Sequence, residues 1–230
     1  MEIGERPRHP PSSVAAVDAR TLIVALLALV GGVVGYLWLR TGTYRREDEG
    51  GPLPRHLWVL PVAPSVGWAI ARGLSDLPWP VLAAPLSLAL AGLVLAAVDA
   101  DVHRLPNAIT LPLVPVQAAL LTLASAATGE WEALQRAGLA ALLVGGGTLA
   151  LAFLLFGRSI GMGDAKLMVS IAPTLAWLGW THLVVGVWVG FVIGGLAALA
   201  LLLARRADRG THLAFGPYLV AGAVIAVALG

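Results

Sequence analysis

Asp99, Asp101 and Asp164 stand apart from the other acidic residues of this 230-residue chain. Most of the thirteen Asp and Glu residues lie in the N-terminal tail or in loops among other polar groups, whereas these three border long apolar runs. Asp99 follows directly on Leu93-Val94-Leu95-Ala96-Ala97-Val98, and Asp164 closes Gly161-Met162-Gly163-Asp164, a short polar island between two apolar segments. A carboxylate at the edge of hydrocarbon is costly, up to about 3 kcal/mol at the centre of a membrane helix and less near its end, so it is a functional candidate. Two carboxylates brought together cannot both ionise cheaply, and the pair holds one proton over a wide pH range. The ionised member then takes a proton from a water attacking a carbonyl. The protonated member donates to the carbonyl oxygen and stabilises the tetrahedral intermediate. Asp99 and Asp164 are therefore the expected catalytic pair of a hydrolytic reaction at a peptide carbonyl.

Simpler roles compete. Asp164 immediately precedes an apolar run and would serve as a helix N-cap, and Asp99 and Asp101 could merely mark a helix end in water. Gly161 and Gly163, on alternate positions, admit either a close backbone approach or a positive φ. Lys166, two residues past Asp164, would point about 200° away from it on a helix and reads as a headgroup anchor before a catalytic partner. Rival chemistries lack parts: there is no cysteine, hence no disulfide framework and no thiolate zinc site. His9, His56, His182 and His212 are scattered and only His103 lies near the carboxylates, so no metal or other cofactor is expected. The eight tryptophans suit the aromatic belts of a bilayer.

These residues must be positioned by helices. With 58% hydrophobic and 12% charged residues and a mean hydropathy of +0.85, the chain carries more apolar surface than a soluble core can hide. The expected fold is all-α, a polytopic transmembrane bundle of about eight helices at 22–39, 57–71, 80–98, 109–126, 133–156, 166–178, 183–204 and 213–229. The second, with Pro61 and Pro64, is short enough to be tilted or partly re-entrant. Residues 1–21 form a polar tail expected to be disordered, 22–79 hold two helices and a charged loop at 40–55, and 80–230 form the domain that carries the aspartates. The loop reads as solvated. Basic residues stand singly at the ends of apolar runs, which excludes a nucleic-acid stripe and speaks for membrane orientation. Arg40, Arg45, Arg46, Arg55, Arg104, Arg158, Lys166, Arg205, Arg206 and Arg209 fall on one side. Arg6, Arg8, Arg20, Arg72 and Arg136 fall on the other. The richer side is cytoplasmic by the positive-inside rule, which puts both termini outside and both aspartate loops in the cytoplasm.

Three segments resemble the type IV prepilin leader peptidases, which belong with the preflagellin peptidases to the GxGD-type membrane aspartyl proteases. In Val98-Asp99-Ala100-Asp101-Val102-His103-Arg104-Leu105-Pro106, Asp99 stands seven residues before Pro106, as in that family's aspartate motif. Gly161-Met162-Gly163-Asp164-Ala165-Lys166 is similar to its GxGD motif, and Phe215-Gly216-Pro217-Tyr218 to a segment of its last helix. The match covers roughly residue 80 onward. It implies a bacterial multi-pass cell-membrane peptidase without cofactor, cutting the short basic leader from prepilin or pseudopilin precursors at the cytoplasmic face. Asp99 and Asp164 would be its dyad, with Asp101, Pro106, Gly161, Gly163, Lys166, Phe215, Gly216 and Pro217 in support. Glu47, Asp48 and Glu49 could attract the basic leader. Many relatives carry a tetracysteine domain in the first loop and methylate the new N-terminus. This chain has no cysteine and a short loop, so N-methylation and an S-adenosylmethionine requirement are not carried over. Two other classes fit less well. A small transporter or channel would relay protons or a cation through the same aspartates, but these lie at a boundary, not the midplane, and no inverted repeat joins the halves. A pseudoenzyme of pilus assembly would not need both aspartates intact. Oligomeric state cannot be read from the sequence.

Overall fold

The structure, a computed structural model, describes residues 18–47, 49–155, 161–204 and 215–230. The expectations for the tail 1–17 and for Asp48, Arg158, Arg205, Arg206, Arg209 and His212 fall outside the described residues. Eight helices and no strand occur among those described. They are α1 (Ala19–Thr41), α2 (Val59–Gly73), α3 (Trp79–Val102), α4 (Asn107–Thr128), α5 (Trp131–Leu154), α6 (Met162–Leu178), α7 (Trp180–Leu203) and α8 (Gly216–Ala228). Helices α1, α3, α4, α5 and α7 have the length and apolarity to cross a bilayer. Within α5, residues Ala141–Gly146 are wound as a π-helix leading into the glycine run, and there Gly145 packs on the Val169 backbone of α6.

Helix α6 is the centre of the bundle. It has 17 residues, of which eleven, Ala165 to Trp177, are buried, and it touches α3, α4, α5, α7 and α8. Small residues such as Ala165, Ala172 and Ala176 let neighbours close in from every side. Several polar residues in this core are paired with one another, although the buried Ser170 hydroxyl of α6 has no partner among the described residues. Gln117 of α4 donates to Ser87 Oγ (3.0 Å) and the Ala84 carbonyl (3.3 Å) of α3 and accepts from Thr174 Oγ1 of α6 (3.0 Å). The two helices that carry Asp99 and Asp164 are thus stitched together through α4. Trp177, expected in an aromatic belt, is instead a core residue whose indole N–H donates to Ser125 Oγ at 2.8 Å.

At one end of the bundle, Arg20 of α1 donates to the carbonyls of Leu74, Ser75 and Leu77 past the end of α2. There too Arg136 of α5 donates to Ala176 and Trp177 at the end of α6, at 2.5 and 2.6 Å. Guanidinium groups supply the donors that terminal carbonyls of a helix lack. Helix α2 runs antiparallel to α1, with Gly32 against Ala63 and Gly67 against Ala28, from the Tyr44 and His56 end to the Arg20 end. It therefore traverses the bundle and does not turn back. The starts of α6 and α8 and the end of α3 all lie at the end opposite Arg20 and Arg136.

Helices α7 and α8 meet backbone to backbone. A β-carbon at Gly222 would lie 2.2 Å from the Gly186 carbonyl oxygen and 2.5 Å from Gly190 N. Gly195, also in the glycine-rich stretch of α7, meets nothing within 4 Å. Gly222→Ala is expected to drive the helices apart and cost about 1–3 kcal/mol or more, read as a lower thermal midpoint by tryptophan fluorescence in detergent. Gly147→Ala, in open space, should not lower it.

Candidate active site

Helix α3 continues four residues past the apolar run and ends on His103, in the left-handed conformation (φ +50°), whose N–H donates to the Asp99 carbonyl at 2.9 Å. Asp99 and Asp101 are thus inside the last turn and do not merely follow it. A helix is propagated by backbone bonds, so the end of the hydrophobic stretch understates its length. Asp99 is only 4% exposed, and its Oδ2 has no hydrogen-bond partner among the described residues.

Helix α6 starts at Met162, with Gly161 in the cap position and Asp164 third in the first turn. This corrects both the expected start at Lys166 and the reading of Asp164 as an N-cap. The glycines are there for close approach: Gly161 has φ −59° and Gly163 is helical, so neither uses a positive φ. A β-carbon at Gly163 would press on Leu105 at 3.0 Å, and one at Gly161 would stand 3.1 Å from Asp164 Oδ2.

The two carboxylates converge on the first residue of α8. A β-carbon at Gly216 would lie 3.4 Å from Asp164 Oδ1, 3.5 Å from Asp99 Oδ2 and 3.3 Å from Leu105 Cδ1. The two oxygens can be no farther apart than those first two distances laid end to end. Pro217 occupies the first turn of α8, where its missing N–H costs nothing. Phe215 turns its ring to Phe191 and Tyr218 and onto Gly194 of α7. Both fix how α8 enters beside the carboxylates. Pro106 is buried and begins α4, its carbonyl accepting from the amides of Ile109 and Thr110, both at 3.1 Å; it holds Leu105 in place beneath Gly163 and Gly216. Lys166 donates to Asn107 Oδ1 at 2.8 Å.

Asp101 faces away from the pair, toward the first loop. Arg45 grips it with Nε to Oδ2 at 2.8 Å and Nη2 to Oδ1 at 2.7 Å, and the Tyr44 hydroxyl donates to Oδ2 at 2.6 Å. Beyond His103, Arg104 makes a matching fork on Glu49, at 2.7 and 2.8 Å, and donates to the Tyr44 carbonyl at 2.6 Å. The loop expected to be solvated is therefore docked. Glu49 is already engaged, which argues against its drawing in a basic segment. Nothing local in the chain marks these pairs, because their members stand more than fifty residues apart. The Arg104 guanidinium, with the Arg46 N–H, holds the Glu49 carboxyl well below its ordinary value of 4.5, at about 2. This contribution to stability is full above pH 4.5 and is lost as pH falls toward 2. Burial, with the nearby Asp101 carboxylate, pushes the Tyr44 hydroxyl up to about 12, so it remains a donor at neutral pH.

Residues 86–199 match the type IV leader peptidase family. The leader peptidase match contains Asp99 and Asp164 and stops short of Gly216. The chain is 36% identical over 160 residues to the prepilin leader peptidase/N-methyltransferase of Neisseria gonorrhoeae, covering 60% of this chain and 48% of that relative. It is 28% identical over 201 residues to the protein of the same name from Aeromonas hydrophila, covering 86% and 66%. To that of Pseudomonas putida it is 34% identical over 143 residues, covering 60% and 46%. The chain thus spans about half the length of the first and third of these relatives and two thirds of the second. No solved structure matches it. Its apolar helices and bacterial relatives mark it as a multi-pass membrane protein similar to the leader peptidases.

Proposed function

We propose that the chain is a membrane aspartic endopeptidase in which Asp99 and Asp164 share one proton and activate a water against a peptide carbonyl. The observation that carries this reading is the convergence of the two carboxylates on Gly216, one of them buried with an unpartnered oxygen. A buried acceptor without a partner costs stability, and a site built to receive a reacting water has reason to keep one. In the reaction, the ionised aspartate takes a proton from water as its oxygen bonds to the carbonyl carbon, and the protonated one donates to the carbonyl oxygen. Collapse of the tetrahedral intermediate breaks the C–N bond, with a proton passing to the leaving amine. No cofactor enters these steps.

The substrate we infer from the relatives' names is a prepilin-like precursor, a pilin or pseudopilin, cut between its short basic leader and its hydrophobic helix. The supporting residues are Asp101, Pro106, Gly161, Gly163, Lys166, Phe215, Gly216 and Pro217, acting through position. We place the site at the cytoplasmic face. Arg40, Arg45, Arg46, Arg104 and Lys166 lie at the site's end of the bundle, against Arg20, Arg72 and Arg136 at the other, in keeping with the positive-inside rule. Methyl transfer, the other half of the relatives' name, is not assigned to this chain.

The test is a mass-resolved cleavage assay with the purified chain in detergent and several precursors bearing a basic leader before an apolar helix. A single cut at the leader junction is expected. If no precursor is cut and proteoliposomes instead carry a proton or cation current, the peptidase reading gives way to the transporter.

A further inference from the structure

Asp99 and Asp101 sit on one turn of α3, about 200° apart around its axis, one directed at Asp164 and Gly216 and the other at the first loop. The last turn of a helix is held weakly, since its final carbonyls have no intrahelical partners, and a rotation or fraying there displaces Asp99. What resists it here is the grip on Asp101. A bidentate guanidinium fixes both carboxylate oxygens and hence the angle of the side chain, and Tyr44 adds a third donor. The pair is well shielded, with Arg45 12% and Asp101 8% exposed, unlike a solvated surface bridge. Arg45 is itself anchored to the carbonyls of Gly51 (2.9 Å) and Pro52 (3.3 Å). Arg104 then ties the far side of the turn to Glu49 in the same loop.

The backbone gives a second, independent sign. Among the described residues, His56 (φ +43°) and His103 (φ +50°) are the non-glycine residues with positive φ. They flank this contact, His103 ending α3 and His56 closing the loop with Nε2 3.4 Å from the Tyr44 hydroxyl. Unfavourable backbone persists where the surroundings over-determine it.

We propose that Arg45 is a positioning residue for Asp99: through Asp101, the loop 42–58 clamps the last turn of α3 and sets where the Asp99 carboxylate stands relative to Asp164. This rests on the peptidase reading for its catalytic consequence, but the clamp itself does not. A loop that only covers the protein would leave the geometry of the dyad unchanged when released; a clamp would not.

The experiment compares Arg45→Gln, Asp101→Asn, the double variant and Arg45→Lys with wild type, as full chains in detergent. Arg40→Gln, exposed at the end of α1, is the control. Two quantities are measured: amide hydrogen exchange at 99–103, and kcat and KM for leader cleavage. Arg45→Gln and Asp101→Asn should each speed exchange at 99–103. Each should lower kcat about 10- to 100-fold with KM within about threefold, the signature of misplaced chemistry and not of lost binding. The double variant should be no worse than either single one, because both remove the same contact. Arg45→Lys, keeping the charge but not the fork, should recover part of the loss. Unchanged exchange overturns the clamp, and this readout holds even for an inactive preparation. Faster exchange with wild-type kcat, or losses that multiply in the double variant, overturns the positioning role. A wild type that cuts no precursor while exchange responds as expected removes the peptidase reading and leaves the clamp standing.

Discussion

Asp99→Asn and Asp164→Asn are each expected to lower leader cleavage by on the order of 10³-fold or more, and the double variant is expected to be no slower than either alone. Asparagine keeps the size of the side chain but can neither take a proton from water nor share one with its partner. The members of such a pair act as a unit, so removing one forfeits the contribution of both, and the losses do not multiply. Stability should move in the other direction. An unpaired buried carboxylate at Asp99 is costly, and an amide lessens that cost, so Asp99→Asn should melt at or above the wild-type temperature. Mass-resolved cleavage together with a thermal melt checks both. Variants that cut at wild-type rates would sink the dyad. A variant that is inactive and also melts lower would point to a structural role.

Gly216→Ala is expected to lower kcat about 100-fold while leaving the bundle folded. The added carbon would lie 3.3 to 3.5 Å from Leu105 Cδ1, Asp164 Oδ1 and Asp99 Oδ2, close enough to touch all three without forcing the helices apart. It takes up the space between the carboxylates that a water and a carbonyl carbon must occupy, and displacements of about 1 Å at a reacting centre cost on the order of 10²-fold. Alanine is also the better helix former by up to about 1 kcal/mol, so the thermal midpoint should hold or rise. Gly216→Val should abolish cleavage. The contrast with Gly222→Ala separates two uses of glycine on one short helix, the first read in turnover and the second in stability. Wild-type kcat in Gly216→Ala would mean that the reacting groups do not meet beside this residue.

The sequence by itself determined the class of fold and the residues that converge. Long apolar runs can only be helices in hydrocarbon, where every backbone polar group must be paired within its own segment, so eight helices were legible from composition and length. Asp99 and Asp164 stood out because a carboxylate beside such a run is expensive. The Gly161–Asp164 and Phe215–Tyr218 segments could be named because their resemblance is local in the chain. Helix ends were less legible. The last turn of α3 and the first of α6 are polar, so hydropathy stopped short of Asp99 and began after Asp164, although backbone hydrogen bonding runs through both. What the tertiary structure alone decided is which surfaces meet. It set Gly216 between two aspartates that lie 52 and 117 residues before it in the chain. It turned a charged loop that reads as solvated into a grip on Asp101 and Arg104, and engaged Lys166 with Asn107. Such contacts depend on how whole helices rotate and approach one another. That is fixed by small residues and buried polar ties such as Gln117 distributed through the bundle, and no local stretch of sequence encodes it.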